Sequence, residues 1–215
     1  MIEWDLPKAE NELKQAYSEN SEIKILKLLK SNTYLFYELF TRKHGIQPIF
    51  HEVNFGARLR CDFAWLNDNS DGPEWVLLEI EKPCIQLFTK DDVPTADLNK
   101  GIEQVRSWQM YFDENPNEKR RIFGAVSRFR YILVVGTSEL WQETTAAKWR
   151  SHYNKTNHIE IRSCGVFDKA LELYKKNPEE FWSFQDHPTT LGDSKLQEYW
   201  KNYEYMEHWR ALWNT

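Results

Sequence analysis

The sequence predicts an α/β protein in which helices flank a mixed β-sheet, and three patterns lead to that prediction. Apolar residues recur at three- and four-residue spacings over residues 7–44, which is typical of amphipathic helices. The period then changes to two and predicts three successive strands, over 49–55, 59–66 and 75–81. Farther along, the stretch 131–135 is continuously apolar, as in a strand that is buried on both faces. Helices must therefore cover both sides of the sheet.

Turn-forming residues separate the elements of the first half. Gly45 ends the helical run, and Gly56 is the expected turn of a hairpin between the first two strands. Residues 67–73 are rich in turn-forming types and lead into the third strand. Pro83 stops that strand because proline cannot donate a hydrogen bond to a ladder. The first half is thus predicted to be helices followed by a three-stranded meander.

The second half alternates helices and strands. Leu98, Ile102 and Val105 keep helical spacing within a predicted helix over 96–112, which Asn115 and Pro116 close. The remaining predicted elements follow in the order strand, helix, strand, helix, over 131–135, 138–152, 158–162 and 166–175. This order favours one domain over 1–176, with an extension over 177–215 packed on it. The extension is rich in Trp, Tyr and Phe, which form either a helical cap or a surface for a partner.

Composition narrows the class of protein. The formal net charge is -5 and 41% of the residues are hydrophobic, which suits a folded globular protein. No stretch approaches the ~20 apolar residues of a membrane span, and residues 1–14 lack a signal-peptide core. We therefore expect a cytoplasmic protein that does not associate with a membrane. Cys61, Cys84 and Cys164 lack the spacing of a zinc site and are predicted to be buried small hydrophobes.

The third strand carries the pattern that predicts chemistry. Alternation places Glu79 and Glu81 on one face of an otherwise apolar strand, ~7 Å apart. Two carboxylates so close repel each other unless a cation lies beside them. Asp62, on the preceding strand, converges on Glu79 if the two strands are neighbours. Three such carboxylates form an oxygen-rich site that suits Mg²⁺ or Mn²⁺, whereas the alternative is a solvated acidic edge.

Two further side chains are candidates for the same site. Alternation sends Lys82 to the opposite face from Glu81 unless the strand bulges before Pro83. On the following helix, Gln104 and Trp108 are one turn apart, so Gln104 can reach substrate or a metal-bound water. A metal held there activates water and neutralises charge at a phosphodiester, which is the chemistry of a nuclease.

These motifs resemble a known family. The runs Cys61-Asp62-Phe63, 78–83 (Leu-Glu-Ile-Glu-Lys-Pro) and 104–108 (Gln-Val-Arg-Ser-Trp) are similar to the nuclease domain of Shedu anti-phage defence proteins, a branch of the PD-(D/E)XK superfamily, over roughly residues 7–175. The resemblance implies a restriction-endonuclease-like fold, DNA as the partner, and a homo-oligomer. It also implies that Asp62 and Glu79 are the two acids of the motif, while Glu81 stands where the superfamily has Lys.

The departure at position 81 makes the neighbouring Lys82 the candidate for the missing charge. An upstream acid often completes such sites, and Glu52 is the candidate for it here. Shedu proteins commonly carry a regulatory region before the nuclease domain. None is expected in this chain, which would make it a minimal member or an isolated nuclease domain.

A basic stretch provides candidate contacts to DNA. These cations bind backbone phosphates or are unrelated charges of a solvated loop: Lys119, Arg120, Arg121, Arg128 and Arg130. Three functions therefore remain open. They are a Mg²⁺-dependent deoxyribonuclease of an anti-phage system, a binding module for nucleic acid or protein that has lost catalysis, and a subunit that senses an effector through its aromatic tail.

Overall fold

The structure is a computed structural model that describes residues 4–56 and 58–213. Its α-helices are α1 (Leu6–Ser18), α2 (Glu22–Ser31), α3 (Ala96–Glu114), α4 (Pro116–Phe123), α5 (Thr144–Thr156), α6 (Gly165–Lys176), α7 (Leu196–Asn202) and α8 (Glu204–Trp213). Its strands are β1 (Ile49–Asn54), β2 (Arg60–Asn69), β3 (Gly72–Ile80), β4 (Arg128–Val134), β5 (Ile159–Arg162) and β6 (Leu191–Gly192). Short 3-10 helices span Thr33–Leu39, Pro178–Phe184 and Asp193–Lys195.

The strands form one mixed sheet in the order β5-β4-β3-β2-β1-β6. The meander β1-β2-β3 is antiparallel, whereas β3, β4 and β5 run parallel. β3 lies between β2 and β4, and all nine of its residues are buried. The prediction of an α/β protein with a mixed sheet and flanking helices is confirmed.

Alternation along β3 divides the core into two clusters. Val76, Leu78 and Ile80 belong to the cluster under α1, α2 and α6. Trp75 and Leu77 belong to the opposite cluster, which α3 covers through residues such as Leu98 and Val105. Glu79 is therefore on the α3 side of the sheet, as the period-two pattern requires.

Helices α1, α2 and α3 begin at side-chain caps. Asp5 accepts the Lys8 amide before α1, and Ser21 accepts the Lys24 amide before α2. Thr95 accepts the amide of Leu98 at 3.4 Å at the start of α3. Such caps satisfy backbone donors that have no partner within the helix, and so fix where it begins. The cap of α2 places Glu22 at its first position.

The aromatic tail packs on the body of the fold as helices. Trp200 is buried, and its Nε1 donates to the Ile122 carbonyl at 2.8 Å. Gly124 has a positive φ of 75°, and a Cβ there would lie 2.7 Å from the Trp200 ring. The tail therefore closes on a position that needs glycine for both backbone conformation and space. Trp182 differs, since it is 51% exposed and stacks on His44.

Several local predictions differ from the structure. The helix predicted to begin at 138 begins at Thr144, because Trp141 is buried in the preceding turn and donates to the Val135 carbonyl. The basic stretch 119–121 lies on α4, which begins at Pro116, and not in a loop. Cys84 is exposed and donates to the Tyr17 carbonyl, so its predicted burial is wrong, whereas Cys61 and Cys164 are buried.

The outer edge of the sheet is capped by a side chain. Asn154 of α5 donates to the Ile161 carbonyl at 3.0 Å and accepts from the Ile161 amide at 2.9 Å. These backbone groups would otherwise be unpaired on the edge strand β5. Within the described ranges, no helix has the length and apolar composition needed to cross a bilayer.

Candidate functional site

A cavity of about 750 Å³ opens where β3 ends, between α2 and α3. Its acidic lining residues are Glu22, Asp62, Glu79, Glu81 and Asp97. Its basic lining residues are Arg58, Arg60, Lys82 and Lys100. Gln104 and Trp108 line it from α3. The cavity therefore collects carboxylates and cations in nearly equal number.

Asp62 and Glu79 form the buried floor of this cavity. β2 and β3 pair antiparallel with Phe63 opposite Leu78, so the next pair in register is Asp62 and Glu79. Asp62 accepts the Ile80 amide through Oδ2 at 2.8 Å. Glu79 accepts a hydrogen bond from Nε2 of Gln104 through Oε1. The structure thus brings together three residues that the sequence predicted to converge.

Burial disfavours the ionised form of both carboxylates. It raises the pKa of Asp62 to about 7, with further contributions from Glu22 and Glu81. Burial also raises the pKa of Glu79, and the charges of Asp62 and Glu81 add to the effect. Oε2 of Glu79 is buried without a hydrogen-bond partner among the described residues. A buried carboxylate oxygen in that state is costly unless a cation or water meets it.

Glu81 and Glu22 approach the pair from two sides. Glu81 lies just beyond β3, where its amide still donates to the Val134 carbonyl at 2.8 Å. A Cβ on Gly101 would lie 3.2 Å from Glu81 Cγ, so the glycine permits close packing of α3 there. Glu22 enters from α2, and burial raises its pKa while Lys82 and Lys100 oppose the effect. Sequence reasoning missed Glu22, although the Ser21 cap marked its place at a helix start.

Lys82 lines the same cavity as Glu81, contrary to the alternation that sent it to the other face. β3 ends at Ile80, so the strict alternation of a strand does not have to extend to Lys82. The charge of Lys82 acts on Glu22 and on Glu81, so the cavity contains a lysine although position 81 is Glu. Arg58, Arg60 and Lys100 supply further cations that the sequence did not assign to the site.

Glu52 is not brought to the cavity. It lies on β1 with a positive φ of 55°, and it pairs with Lys30 at 3.1 Å and with Arg60 at 3.6 Å. β2 separates β1 from β3, so only a side chain that reaches across β2 could join Glu79. Glu22 lines the cavity, whereas Glu52, the further acid predicted from the sequence, does not.

The predicted basic contacts also lie away from the cavity. Because β3 and β4 are parallel with Arg128 opposite Glu74 and Leu133 opposite Glu79, Arg128 sits at the other end of the sheet, ~17 Å along the strand. Arg128 pairs with Asp71 and Glu74, Arg130 with Glu160, and Arg121 with Glu118. None of the five cations, Lys119 and Arg120 included, lines this cavity.

The donor set fits a hard divalent cation. Its oxygens belong to carboxylates, and two of these carboxylates, Asp62 and Glu79, are buried. Oε2 of Glu79 is buried and has no hydrogen-bond partner among the described residues. In the part of the chain that the structure describes, no three His, Cys, Asp or Glu side chains already stand close enough to hold a metal ion. Mg²⁺ is often bound by one or two carboxylates, with water and substrate phosphate as the remaining ligands. Asp62 and Glu79 match that mode.

Family comparison agrees with the motifs. The family model described as Shedu protein SduA, C-terminal, matches residues 19–167, which is more than half of the chain. The chain belongs to the Shedu family. The matched Shedu region includes the acidic side chains of the cavity together with Lys82 and Gln104. Among curated proteins, no match is found. Membership of the Shedu family suggests a role in anti-phage defence.

The raised pKa of Asp62 predicts how the stability of this Shedu chain depends on pH. Folding moves that pKa from 3.8 to about 7, so between these values the unfolded chain has lost a proton that the folded chain keeps. The free energy of unfolding therefore falls as pH rises through this window, and the penalty is complete above it. Asp62→Asn removes the titrating group but keeps an oxygen for the Ile80 amide.

Thermal melts in EDTA measure this effect. We expect Asp62→Asn and wild type to melt at similar temperatures at about pH 4, and the variant to melt higher at about pH 8. Each pH unit within the window adds to the difference. A difference in melting temperature that stays constant with pH would contradict the assignment of the raised pKa to Asp62.

Proposed function

We propose that this protein is a metal-dependent nuclease of the PD-(D/E)XK type that hydrolyses phosphodiester bonds of DNA in anti-phage defence. One observation carries the proposal: Asp62 and Glu79 are buried side by side at the floor of an open cavity, and Oε2 of Glu79 has no partner within the described residues. Such an arrangement destabilises the metal-free fold. A divalent cation, Mg²⁺ or Mn²⁺, would relieve it.

Asp62 and Glu79 would hold the cation, with Glu81 and Glu22 close enough to contribute through water. Bound there, the cation supplies neutralisation of charge on a phosphodiester and a water of lowered pKa. Gln104 is a positioning residue, because its hydrogen bond to Oε1 leaves Oε2 of Glu79 for the metal.

Lys82 takes the role that the superfamily motif gives to the residue at position 81. Its ammonium lines the cavity and can donate to a phosphoryl oxygen or to the attacking water. Arg58, Arg60 and Lys100 line the same cavity and would bind backbone phosphates on either side of the scissile bond. The site therefore offers cations to DNA although the chain as a whole is acidic. A homo-oligomer, implied by the family resemblance, would add a second copy of this surface.

A binding module without catalysis is the second candidate, and Glu81 favours it. A glutamate at the motif's lysine position adds a negative charge next to the acidic pair and raises the pKa of Glu79. If Lys82 does not compensate, the cavity would bind metal and DNA without cleavage.

Incubation of linear and circular DNA with the purified protein tests the proposal. We expect products with Mg²⁺ or Mn²⁺ and none in EDTA, and we expect Mg²⁺ to raise the melting temperature by mass action. Ca²⁺ is the control, since it fills carboxylate sites with a different ligand number and geometry. DNA binding without products under any metal would favour the binding module. If the protein neither binds nor cleaves DNA, both candidates are overturned.

A further inference from the structure

A second polar cavity, of about 390 Å³, opens at the carboxyl end of β5 between α5 and α6. Three cations line it: Arg150 from α5, Arg162 at the end of β5, and Lys169 from α6. The hydroxyls of Ser138 and Ser163 also line it and lie 3.3 Å apart. No carboxylate is among its described lining residues. This cavity therefore differs from the acidic one at the end of β3.

The positive charge of this cavity is only partly neutralised. Arg162 donates to Glu160 at 2.9 Å, but Glu160 is shared with Arg130. Within residues 4–56 and 58–213, neither Arg150 nor Lys169 makes an ion pair. Arg150 and Arg162 line the same cavity, and burial together with the charge of Arg162 lowers the pKa of Arg150. An anion between them would offset that effect.

The position of Arg150 is fixed by packing. Its guanidinium lies over the Trp141 ring, 4.9 Å from the centroid, and Trp141 is itself buried. Stacking of this kind presents the edge of the guanidinium, with its planar fork of donors, to a ligand. Arg162 uses one nitrogen for Glu160, which leaves other donors of its fork available.

The backbone around the cavity favours the same charge. α6 begins at Gly165, between Ser163 and Val166, which line the cavity, and the amino end of a helix carries a partial positive charge. A Cβ on Gly165 would lie 1.8 Å from Ser138 Oγ, so glycine allows the helix start to approach that hydroxyl. The three cations and the two hydroxyls thus line one space, which lies beside the start of α6.

We propose that Arg150, Arg162 and Lys169 bind a phosphate group. Forked guanidinium donors with hydroxyls and a helix amino end match the three oxygens of a phosphate better than the two of a carboxylate. Because β3, β4 and β5 are parallel, their carboxyl ends share one edge of the sheet, and this cavity lies two strands from Glu79. The phosphate can therefore belong to a free nucleotide or to the backbone of bound DNA.

Calorimetric titrations in EDTA at constant ionic strength test the site. The ligands are inorganic phosphate, a deoxynucleoside monophosphate and a short DNA duplex. We expect Arg150→Gln and Lys169→Gln each to weaken binding by about tenfold, the usual effect of losing a hydrogen bond to a charged group. Lys176→Gln is the matched control, because Lys176 is exposed on the same helix but does not line the cavity. It should bind as wild type.

The three ligands separate the sources of the phosphate. Weaker binding of inorganic phosphate and the mononucleotide in the two variants would establish a small-ligand site. An effect confined to the duplex would establish a contact to the DNA backbone. Unchanged binding of every ligand, or no saturable binding, would overturn the proposal.

The result is independent of folding and of nuclease activity. Melting temperatures of all variants exclude a folding defect, and if Arg150→Gln fails to fold, Lys169→Gln decides because its side chain is exposed. Cleavage is not the readout, so a protein without nuclease activity would still pass or fail this test.

Discussion

Glu79→Gln is expected to lower metal-dependent DNA cleavage by about 10³-fold or more. The substitution keeps the size of the side chain and its contact with Gln104, but removes the charge that would hold the metal. Loss of a metal ligand removes several kcal/mol of transition-state stabilisation, and about 4 kcal/mol corresponds to that factor. Initial rates of cleavage over a range of Mg²⁺ concentrations measure it. Activity within about tenfold of wild type would remove Glu79 from the metal site.

The same substitution is expected to stabilise the metal-free protein. Burial and the charge of Asp62 raise the pKa of Glu79, so its ionised form destabilises the fold in the absence of a cation. We expect the free energy of unfolding in EDTA near neutral pH to rise, because the neutral amide carries no such penalty. Mg²⁺ should raise the melting temperature of wild type but not of the variant.

Glu74→Gln is the matched control for Glu79. Glu74 lies on the same strand and is buried to a similar extent, but Arg128 and Asn67 bind its carboxylate. Its charge is compensated, so removal should lower stability and leave cleavage unchanged. Opposite signs of the stability change in these two variants would show that the charge of Glu79, unlike that of Glu74, is not compensated in the metal-free fold. Stability changes of the same sign in both variants would argue that the burial of Glu79 is not linked to a metal site.

Trp200→Ala is expected to cost about 3–5 kcal/mol of stability. The residue lies in α7, outside the predicted domain 1–176, yet it is buried and its Nε1 donates to Ile122. Truncation leaves a cavity next to Gly124. A larger residue at position 124 could not fill this cavity without strain, because the φ of Gly124 is positive. For a chain of this length the melting temperature should fall by about 10 °C. Denaturant and thermal unfolding measure both quantities.

Trp182→Ala separates burial from residue type. Trp182 also belongs to the tail, but it is about half exposed, and its ring stacks on His44. We expect a change within about 1 kcal/mol, as for most surface substitutions. Similar costs for the two tryptophans, or a small cost for Trp200, would show that the tail is a loosely attached extension.

The acidic pair could be predicted from the sequence because its geometry is local. Glu79 and Glu81 stand out as charges in an apolar strand, and the short turn before β3 makes β2 its neighbour, which brings Asp62 opposite Glu79. Period and turn length were sufficient for this part of the site. The same patterns predicted the order of helices and strands from β1 to α6, except for α4.

The rest of the site depends on contacts that no local pattern contains. Glu22 reaches the cavity only because α2 packs across the end of the sheet, about sixty positions away from Glu79 in sequence. Lys100 is likewise placed by the packing of α3. Lys82 was assigned to the opposite face because the alternation was extended two residues beyond Ile80, where β3 ends. The basic stretch drew attention by charge density, yet parallel pairing puts Arg128 at the far end of the sheet.

The cap that Asn154 places on Ile161 limits how copies of this chain can assemble. An edge strand with free amides and carbonyls can recruit the edge of another sheet and build a continuous, growing ribbon. Here a side-chain amide fills the role of the missing strand on β5. Backbone pairing with a second sheet at Ile161 would first have to displace the Asn154 amide. The cap therefore disfavours growth of a continuous sheet from this edge.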